Sequence, residues 1–289
     1  MTMQVDVSTN AEEFLARHGA ELEKRLAEHN LMLALCQSAA ARAAKGENSG
    51  IRILTLNDDD GLVVAAVQTA PHNLVLSHAS MPEVEPLADA LVDHNFILPG
   101  IVGPSDVAAS IANRWTEKTG QAPVEYMDQI IYSLTHVQIP RAVKGRLRWA
   151  EEHEIPLVAG WIRAFSTDAL PKVEQITEAE AAQKADEMVK ARRLAVWDVD
   201  GRAVAQAGVT GTRDVARISM VYTPEETRGK GYASAVVAAV TETQLQAGKK
   251  LCCLYADARN PVANSIYRKI GYEFAGRSSL YVLQPKAGV

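Results

Sequence analysis

One stretch limits what this chain can fold into more than any other. Ile218-Ser-Met-Val-Tyr-Thr-Pro-Glu-Glu-Thr-Arg-Gly-Lys-Gly-Tyr-Ala-Ser234 runs from a strand-like segment into a loop with two glycines and out into a helix. Glycine accepts left-handed backbone conformations and lets backbone N–H groups approach a ligand closely. The N-terminus of the following helix adds unpaired N–H donors and the positive end of its dipole. Arg228 and Lys230 place positive charge on the loop, although Lys230 reads equally well as a solvated surface charge. The stretch predicts a cradle for a diphosphate between a strand and a helix, hence a mixed α/β fold.

The surrounding pattern gives that fold its order. After the segment come a helix at Tyr232–Ala247, an apolar strand at Leu251–Ala256, a helix at Asn260–Ile270 closed by Gly271, and a strand at Glu273–Leu283. Before it, Leu194–Val199 and Ala203–Val209 flank Asp200-Gly201, a hairpin signal. Arg146–Ala150 reads as a strand, Glu152–Phe165 as a helix, and Thr177-Glu-Ala-Glu180 as a capping box opening another helix. The first half has a similar order: a helix over 9–29, strands at Ile51–Leu56, Leu62–Val67 and Asn73–Ser77, and a helix at Glu83–His94. A strand at Phe96–Val102, a helix at Asp106–Lys118 and a strand at Glu125–Leu134 complete it. The order repeats and the residue identities do not. A tandem duplication is the expectation, with its boundary near Thr135–Lys144 and domains at 1–138 and 139–289.

Composition narrows the function. A chain of 289 residues suits two domains. A net charge of −5 and a longest basic cluster of four residues between Arg141 and Arg148 leave no face for a phosphate backbone. Nucleic acid is therefore not an expected partner. No apolar run approaches the roughly 20 residues of a membrane span, and the N-terminus lacks the basic and apolar regions of a secretory signal. Three cysteines, Cys36, Cys252 and Cys253, with no Cys-x-x-Cys spacing, argue against a disulfide framework and against zinc. Cys252 and Cys253 read as small apolar residues of a buried strand, and the expected compartment is the reducing cytoplasm.

Three phosphate loops compete for the glycine segment. A nucleotide-binding Gly-x-x-x-x-Gly-Lys-Ser/Thr loop fails, because Gly231 and Tyr232 follow Lys230. A dinucleotide fingerprint comes close at Gly229-Lys-Gly231-Tyr-Ala-Ser234. In that fold, however, the first glycine ends the strand directly, and here Pro224–Thr227 intervenes. The third pattern, Arg/Gln-x-x-Gly-x-Gly/Ala, is met by Arg228, Gly231 and Ala233. Downstream, Asp257-Ala-Arg-Asn260-Pro-Val-Ala-Asn264-Ser-Ile-Tyr267-Arg-Lys-Ile-Gly271-Tyr272 places an Asn after a strand and Tyr-x-x-x-Gly-Tyr at a helix end. Together these resemble the GNAT superfamily of acyl-CoA-dependent N-acyltransferases, in a tandem-domain branch, over about residues 145–285.

The resemblance implies two GNAT-like domains in an α/β (α+β) fold. Each would hold a mixed, mostly antiparallel twisted sheet flanked by helices. It implies acetyl-CoA as cosubstrate, with no metal, and an amine as acceptor. Its diphosphate would lie on Arg228, Gly229, Lys230, Gly231, Tyr232, Ala233 and Ser234, held mainly by backbone amides. Its pantetheine arm would pair with the strand edge at Val221, Tyr222 and Thr223. Asn260 would contact CoA, cap its helix, or do both. Tyr267 would stand near the sulfur as proton donor, the alternative being a core aromatic. Asn264 reads as a helix-surface or packing residue.

The implied mechanism is direct attack by a neutral amine, with backbone N–H groups at Val221 polarising the carbonyl. No nucleophile motif is present. Asp214, Asp257 and His153 are candidate bases by residue type alone. The first half carries His78-Ala-Ser-Met-Pro82 where the glycine loop would stand, and Gly103-Pro-Ser-Asp and Ala112-Asn-Arg-Trp115 where Asn and Tyr would stand. It is expected not to bind acetyl-CoA. A non-catalytic acyl-CoA sensor is the alternative function, ahead of a dinucleotide-dependent oxidoreductase. The acceptor amine and the oligomeric state stay open.

Overall fold

The computed structural model describes residues 3–139, 143–170, 172 and 175–284, without the side chains of Glu125 and Tyr126. Pro140 and Arg141, part of the expected boundary and of the basic cluster, lie outside the described residues. The chain divides into two compact units. One consists of Met1–Ile131 with Ala275–Val289, the other of Tyr132–Phe274. The C-terminal strand thus belongs to the first unit, whereas the sequence reading kept it in a second domain at 139–289.

The first unit runs β1 (Gln4–Ser8), α1 (Ala11–Glu23), α2 (Leu26–Ala43), β2 (Ile51–Asp58), β3 (Gly61–Thr69), β4 (Leu74–Leu76), α3 (Glu85–Asp93), β5 (Gly100–Pro104), α4 (Ser105–Thr119) and most of β6 (Ala122–Leu134). It also takes β12 (Glu273–Gln284) from Ala275 on. Its strand order is β1-β2-β3-β4-β5-β12-β6. The pairs β1/β2, β2/β3, β3/β4 and β5/β12 are antiparallel, and β4/β5 is parallel. Both sheet faces are covered. Leu54, Val64, Leu87, Leu91, Ile111 and Trp115 share one buried cluster, and Ile53, Val67, Phe14, Leu22 and Met32 share another. Ile53 and Leu54, adjacent on one strand, serve opposite faces, as the two-residue period of a strand requires.

Two elements here differ from the sequence reading. The helix expected over 9–29 is two helices, broken at Lys24–Arg25, and the second continues to Ala43. The strand expected at Phe96–Val102 begins only at Gly100. Phe96 and Leu98 are buried but enter the core from an irregular segment.

The second unit runs β7 (Arg146–Trp149), α5 (Ile155–Ala169), α6 (Glu178–Lys190), β8 (Leu194–Val199), β9 (Arg202–Gly211), β10 (Val215–Tyr222), α7 (Tyr232–Gln246), β11 (Leu251–Asp257) and α8 (Pro261–Ile270). Its strand order is β11-β10-β9-β8-β7, with β6, whose last residues Tyr132–Leu134 belong here, next to β11. The pairs β7/β8, β8/β9 and β9/β10 are antiparallel, and β10/β11 is parallel. The capping box at Thr177 is formed: its Oγ1 accepts from Glu180 N at 3.3 Å, and Glu180 Oε2 accepts from Thr177 N at 2.8 Å. Asp200 and Gly201 both have positive φ, 52° and 82°, as a two-residue hairpin turn demands. Arg148 clamps the sheet margin, donating to Asp198 at 2.8 Å and through both terminal nitrogens to Glu154 at 2.6 and 2.8 Å.

Each half of the chain therefore runs β-α-α-β-β-β-α-β-α-β among the described residues, with the same sequence of antiparallel and parallel pairings through its first five strands. The sheets are mixed and mostly antiparallel, and helices flank them.

Candidate active site

The site starts from a defect in β10. Ser219 pairs with Gly208 and Tyr222 with Gln206, so Met220 and Val221 together face the single residue Ala207. This is a β-bulge, which bends a strand and raises its twist. Met220 sits at φ 49°, in the left-handed region, at a cost of roughly 1–2 kcal/mol for a residue with a side chain. Packing holds it there: Met220 is buried, in one cluster with Val158, Ile162 and Met188. Gly208 makes the room, since a Cβ on it would come 2.7 Å from Met220 Cε.

On its other side β10 leaves its neighbour. The parallel register with β11 runs from Val215↔Leu251 to Arg217↔Cys253, yet β10 continues to Tyr222 and β11 to Asp257. Over Ile218–Tyr222 the β11-facing edge of β10 is open. Among the described residues, Gln206 Oε1 on β9, Thr223 Oγ1 just after β10 and Asn264 Oδ1 on α8 are buried polar atoms without a partner. Each such atom costs about 1–3 kcal/mol.

The glycine loop follows. A short 3-10 turn at Glu225–Thr227 is pinned by Thr227 Oγ1, which donates to the carbonyls of Val204 and Pro224 at 3.0 Å each. Gly229 and Gly231 have φ of 78° and 82°. Gly231 is the N-cap of α7, a 15-residue helix, and among the described residues no side chain caps it. The first N–H groups of α7 thus have no intrahelical acceptor and converge where the dipole is positive. Arg228 turns back on the loop. Its Nε donates to Thr223 O at 2.9 Å, and its guanidinium stands 3.5 Å from Asp168 and 5.8 Å from the Tyr222 ring. Lys230 is exposed, with Nζ 3.5 Å from Glu226 O.

Residues 199–282 match the family described as FR47-like protein. The GCN5-related N-acetyltransferase from Sphaerobacter thermophilus is similar over 99% of this chain and 98% of that one, at 16% identity and a TM-score of 0.59. An acetyltransferase of the GNAT family from Colwellia psychrerythraea is similar over 98% of this chain and 100% of that one, at 12% identity and a TM-score of 0.56. The chain thus shares the fold of GNAT acetyltransferases along its length, and its residues 199–282 carry the FR47-like match. A protein from Drosophila malonogaster shares the fold over 99% of both chains, at 10% identity and a TM-score of 0.69. No curated protein matches the chain.

The remaining residues of the sequence motif run from the end of β11 through α8 to Tyr272. Asn260 is the N-cap of α8, its Oδ1 accepting from Ala263 N at 3.0 Å. Asn264 is buried rather than on the helix surface. Its Nδ2 donates to Asp257 O at 3.0 Å and Asn260 O at 2.7 Å, tying the end of β11 to the start of α8. Gly271, at φ 103°, closes α8, and Tyr272 N donates back to Tyr267 O at 3.0 Å. Tyr272 is a core residue whose hydroxyl meets Thr241 Oγ1 at 2.7 Å. Tyr267 is 9% exposed, with its ring 6.2 Å from both Tyr132 and Tyr272. No hydrogen bond of its hydroxyl is found among the described residues. Burial pushes its pKa up to about 12.

The three candidate bases fare differently. Asp214 precedes β10 at the end opposite the bulge, roughly 20 Å from Val221 at about 3.3 Å per strand residue. It is paired with Lys250 at 3.0 Å, and that hydrogen bond holds its pKa down. Burial raises the pKa of Asp257, but its hydrogen bonds with Arg259 outweigh this and leave it lowered. His153 is an exposed residue beside Glu151. Cys252 and Cys253 are wholly buried, and burial raises each thiol to about 12, so neither is a nucleophile. Among the described residues there is no cluster of metal-ligating side chains, and no helix is long and apolar enough to cross a membrane.

Two residues of the site carry no familiar motif. Met220 is at a position where glycine would signal a bulge. Gln206, wholly buried on β9, is a lone amide in the run Ala203-Val-Ala-Gln-Ala-Gly-Val209, and that interruption was its only sequence signal.

Proposed function

We propose that the second unit transfers an acetyl group from acetyl-CoA to a primary amine of a small substrate. The observation that carries the reading is the bulged, open edge of β10 leading directly into the uncapped, glycine-opened N-terminus of α7. The open edge at Val221, Tyr222 and Thr223 offers main-chain groups to the amides of a pantetheine arm, as an added strand would. The orphaned Thr223 hydroxyl lies where such an arm would supply a partner. The N–H groups from Gly229 to Ser234 suit a diphosphate. Here Arg228 acts by bracing the loop through Thr223 O, Lys230 adds a screened surface charge, and Asn260 combines its cap with a contact to CoA.

The chemistry assigned to these residues is positioning and charge stabilisation. The neutral amine nitrogen bonds to the thioester carbon, and the carbonyl electron pair moves onto oxygen, facing the Val221 N–H. Collapse breaks the C–S bond. Tyr267 gives its proton to the departing sulfur and recovers one from solvent, while the amine proton leaves to water. Its raised pKa keeps Tyr267 in the donor form across the neutral range. The mechanism uses no thiol nucleophile.

The first unit is assigned no CoA site. The test is thiol release from acetyl-CoA across a panel of small amines and peptides, beside Tyr267→Phe and Gly231→Glu. Turnover with one amine, reduced in both variants, supports enzyme and site together. CoA binding without turnover on any amine favours an acyl-CoA sensor, and absence of CoA binding overturns the reading.

A further inference from the structure

The bulge has a partner beneath it. Gln206, on β9 opposite Tyr222, is 0% exposed, and its Nε2 donates to Met220 O at 3.4 Å. Its Oε1 is buried with no partner among the described residues. An amide that satisfies only its donor side is a poor choice for stability alone, because a methionine or leucine would fill the same space without an orphaned acceptor. The value of Gln206 therefore lies in the bond it makes.

That bond fixes a direction. Met220 C=O and Val221 N–H belong to one peptide unit, which is planar and trans, so the two groups point opposite ways. Met220 O is held from the β9 side. Val221 N–H therefore points away from the Gln206 amide, on a stretch where β10 has already parted from β11 after Arg217↔Cys253. The left-handed Met220 leaves this peptide outside the regular ladder, so strand pairing does not set its orientation and a side chain must.

We infer that Gln206 is a positioning residue. It locks the Met220–Val221 peptide so that Val221 N–H is aimed into the gap at the acetyl carbonyl oxygen. The inference rests on the acetyl-CoA reading above and adds to it the residue that sets the donor's aim. Gln206 touches no substrate. It acts through the backbone it holds.

The test reads the thioester itself and needs no acceptor amine. Acetyl-CoA labelled with carbon-13 at the acetyl carbonyl is bound to the wild type and to Gln206→Met, and its carbonyl resonance is compared with that of the free molecule. Polarisation by a well-aimed N–H moves the bound resonance downfield. The expected result is a downfield shift in the wild type that is mostly lost in Gln206→Met, while affinity for CoA is unchanged. Equal shifts in the two proteins overturn the inference, and so does binding to the wild type without a shift. In either case the acetyl-CoA reading stands. Failure of acetyl-CoA to bind the wild type at all sinks that reading, and the inference with it. Should Gln206→Met not fold, Gln206→Leu replaces it. In the wild type, the Val221 amide resonance must also distinguish acetyl-CoA from CoA, and an amide blind to the acetyl group overturns the proposed aim.

Discussion

In both halves of the chain the fourth strand is followed by a segment leading to a helix, and the two segments have opposite fates. After β10 the edge is open, with a bulge, two left-handed glycines and orphaned polar atoms. After β4 the Ser77 and His78 groups are bonded within the protein. Ser77 N donates to Ala65 O at 2.9 Å, and Ser77 Oγ accepts from Ala65 N at 2.8 Å and donates to His78 O at 2.8 Å. His78 N donates to His29 Nε2 at 2.9 Å, and His29 Nδ1 meets Leu22 O at 2.8 Å. A buried imidazole from α2 thus sits on the backbone group that an open edge would offer to a ligand. The lesson is that one topology supports either a ligand edge or a closed core edge. The choice is made by where backbone N–H groups find acceptors.

The largest expected effect breaks the comparison if it fails. Gly231→Glu puts a side chain at φ 82°, with its Cβ 3.2 Å from Val143 Cγ2, and a negative charge where the diphosphate would lie. CoA affinity measured by calorimetry should fall at least ~100-fold, about 2.7 kcal/mol. The wild type should bind one CoA per chain. Two per chain would show that the His29-closed edge is no barrier.

Next in size is Tyr267→Phe. Loss of a positioned proton donor typically costs ~10²-fold or more in turnover, so kcat should drop by about that factor with KM for acetyl-CoA little changed. Unchanged turnover would assign the ring, packed between Tyr132 and Tyr272, to the core alone. In the same assay kcat/KM should rise with pH as the acceptor amine loses its proton.

The closed edge makes its own prediction. Burial, the largest cause, lowers the pKa of His29 below 6.5, as burial and then Arg17 do for His18 against the opposing pull of Asp6. The folded state thus holds fewer protons than the unfolded state just below pH 6.5. Stability from these residues is fully present above the unfolded pKa and is lost as pH falls through the folded values. Tm should therefore decline from pH 7 toward pH 5. His29→Gln, which keeps an acceptor for His78 N–H and cannot titrate, should flatten much of that decline. An unchanged slope would remove His29 as its cause.

What the sequence made legible was local. Gly229 and Gly231 declare left-handed backbone, Thr177 and Asn260 declare caps, and Tyr267 with Gly271 marks a helix end, because each is a residue type with few physical uses. The bulge was hidden because methionine, not glycine, takes the left-handed position, held by packing against Gly208 and Met188 that only the fold supplies. Strand β1 was missed for its polar, half-exposed residues. The second half of α2 was missed because its Leu31–Cys36 run is apolar on more than one face and shows no clean period. The pairing of β12 with β5 joins Ser278 to Pro104 and Val282 to Gly100. No local pattern encodes a partner that distant in sequence.

The smallest expected effects separate the two cations of the glycine loop, which the motif alone treats alike. Arg228 spends its Nε on Thr223 O, the carbonyl at the root of the loop, so Arg228→Ala should loosen the cradle. The Kd for CoA should rise by ~3–10-fold, the size of one charge-assisted hydrogen bond discounted for exposure. Because the bond is short-ranged, that factor should hardly change with salt. Lys230 is exposed, with Nζ 3.5 Å from Glu226 O, so it is expected to act on the diphosphate as a point charge through solvent. Lys230→Ala should raise Kd by only about twofold at low salt, and the difference should vanish as the Debye length shrinks to ~8 Å near physiological ionic strength. Calorimetric Kd values for CoA at two salt concentrations resolve the pair. A salt-dependent loss in Arg228→Ala would return Arg228 to direct charge pairing with the diphosphate, and a salt-insensitive loss in Lys230→Ala would give Lys230 a structural place in the loop.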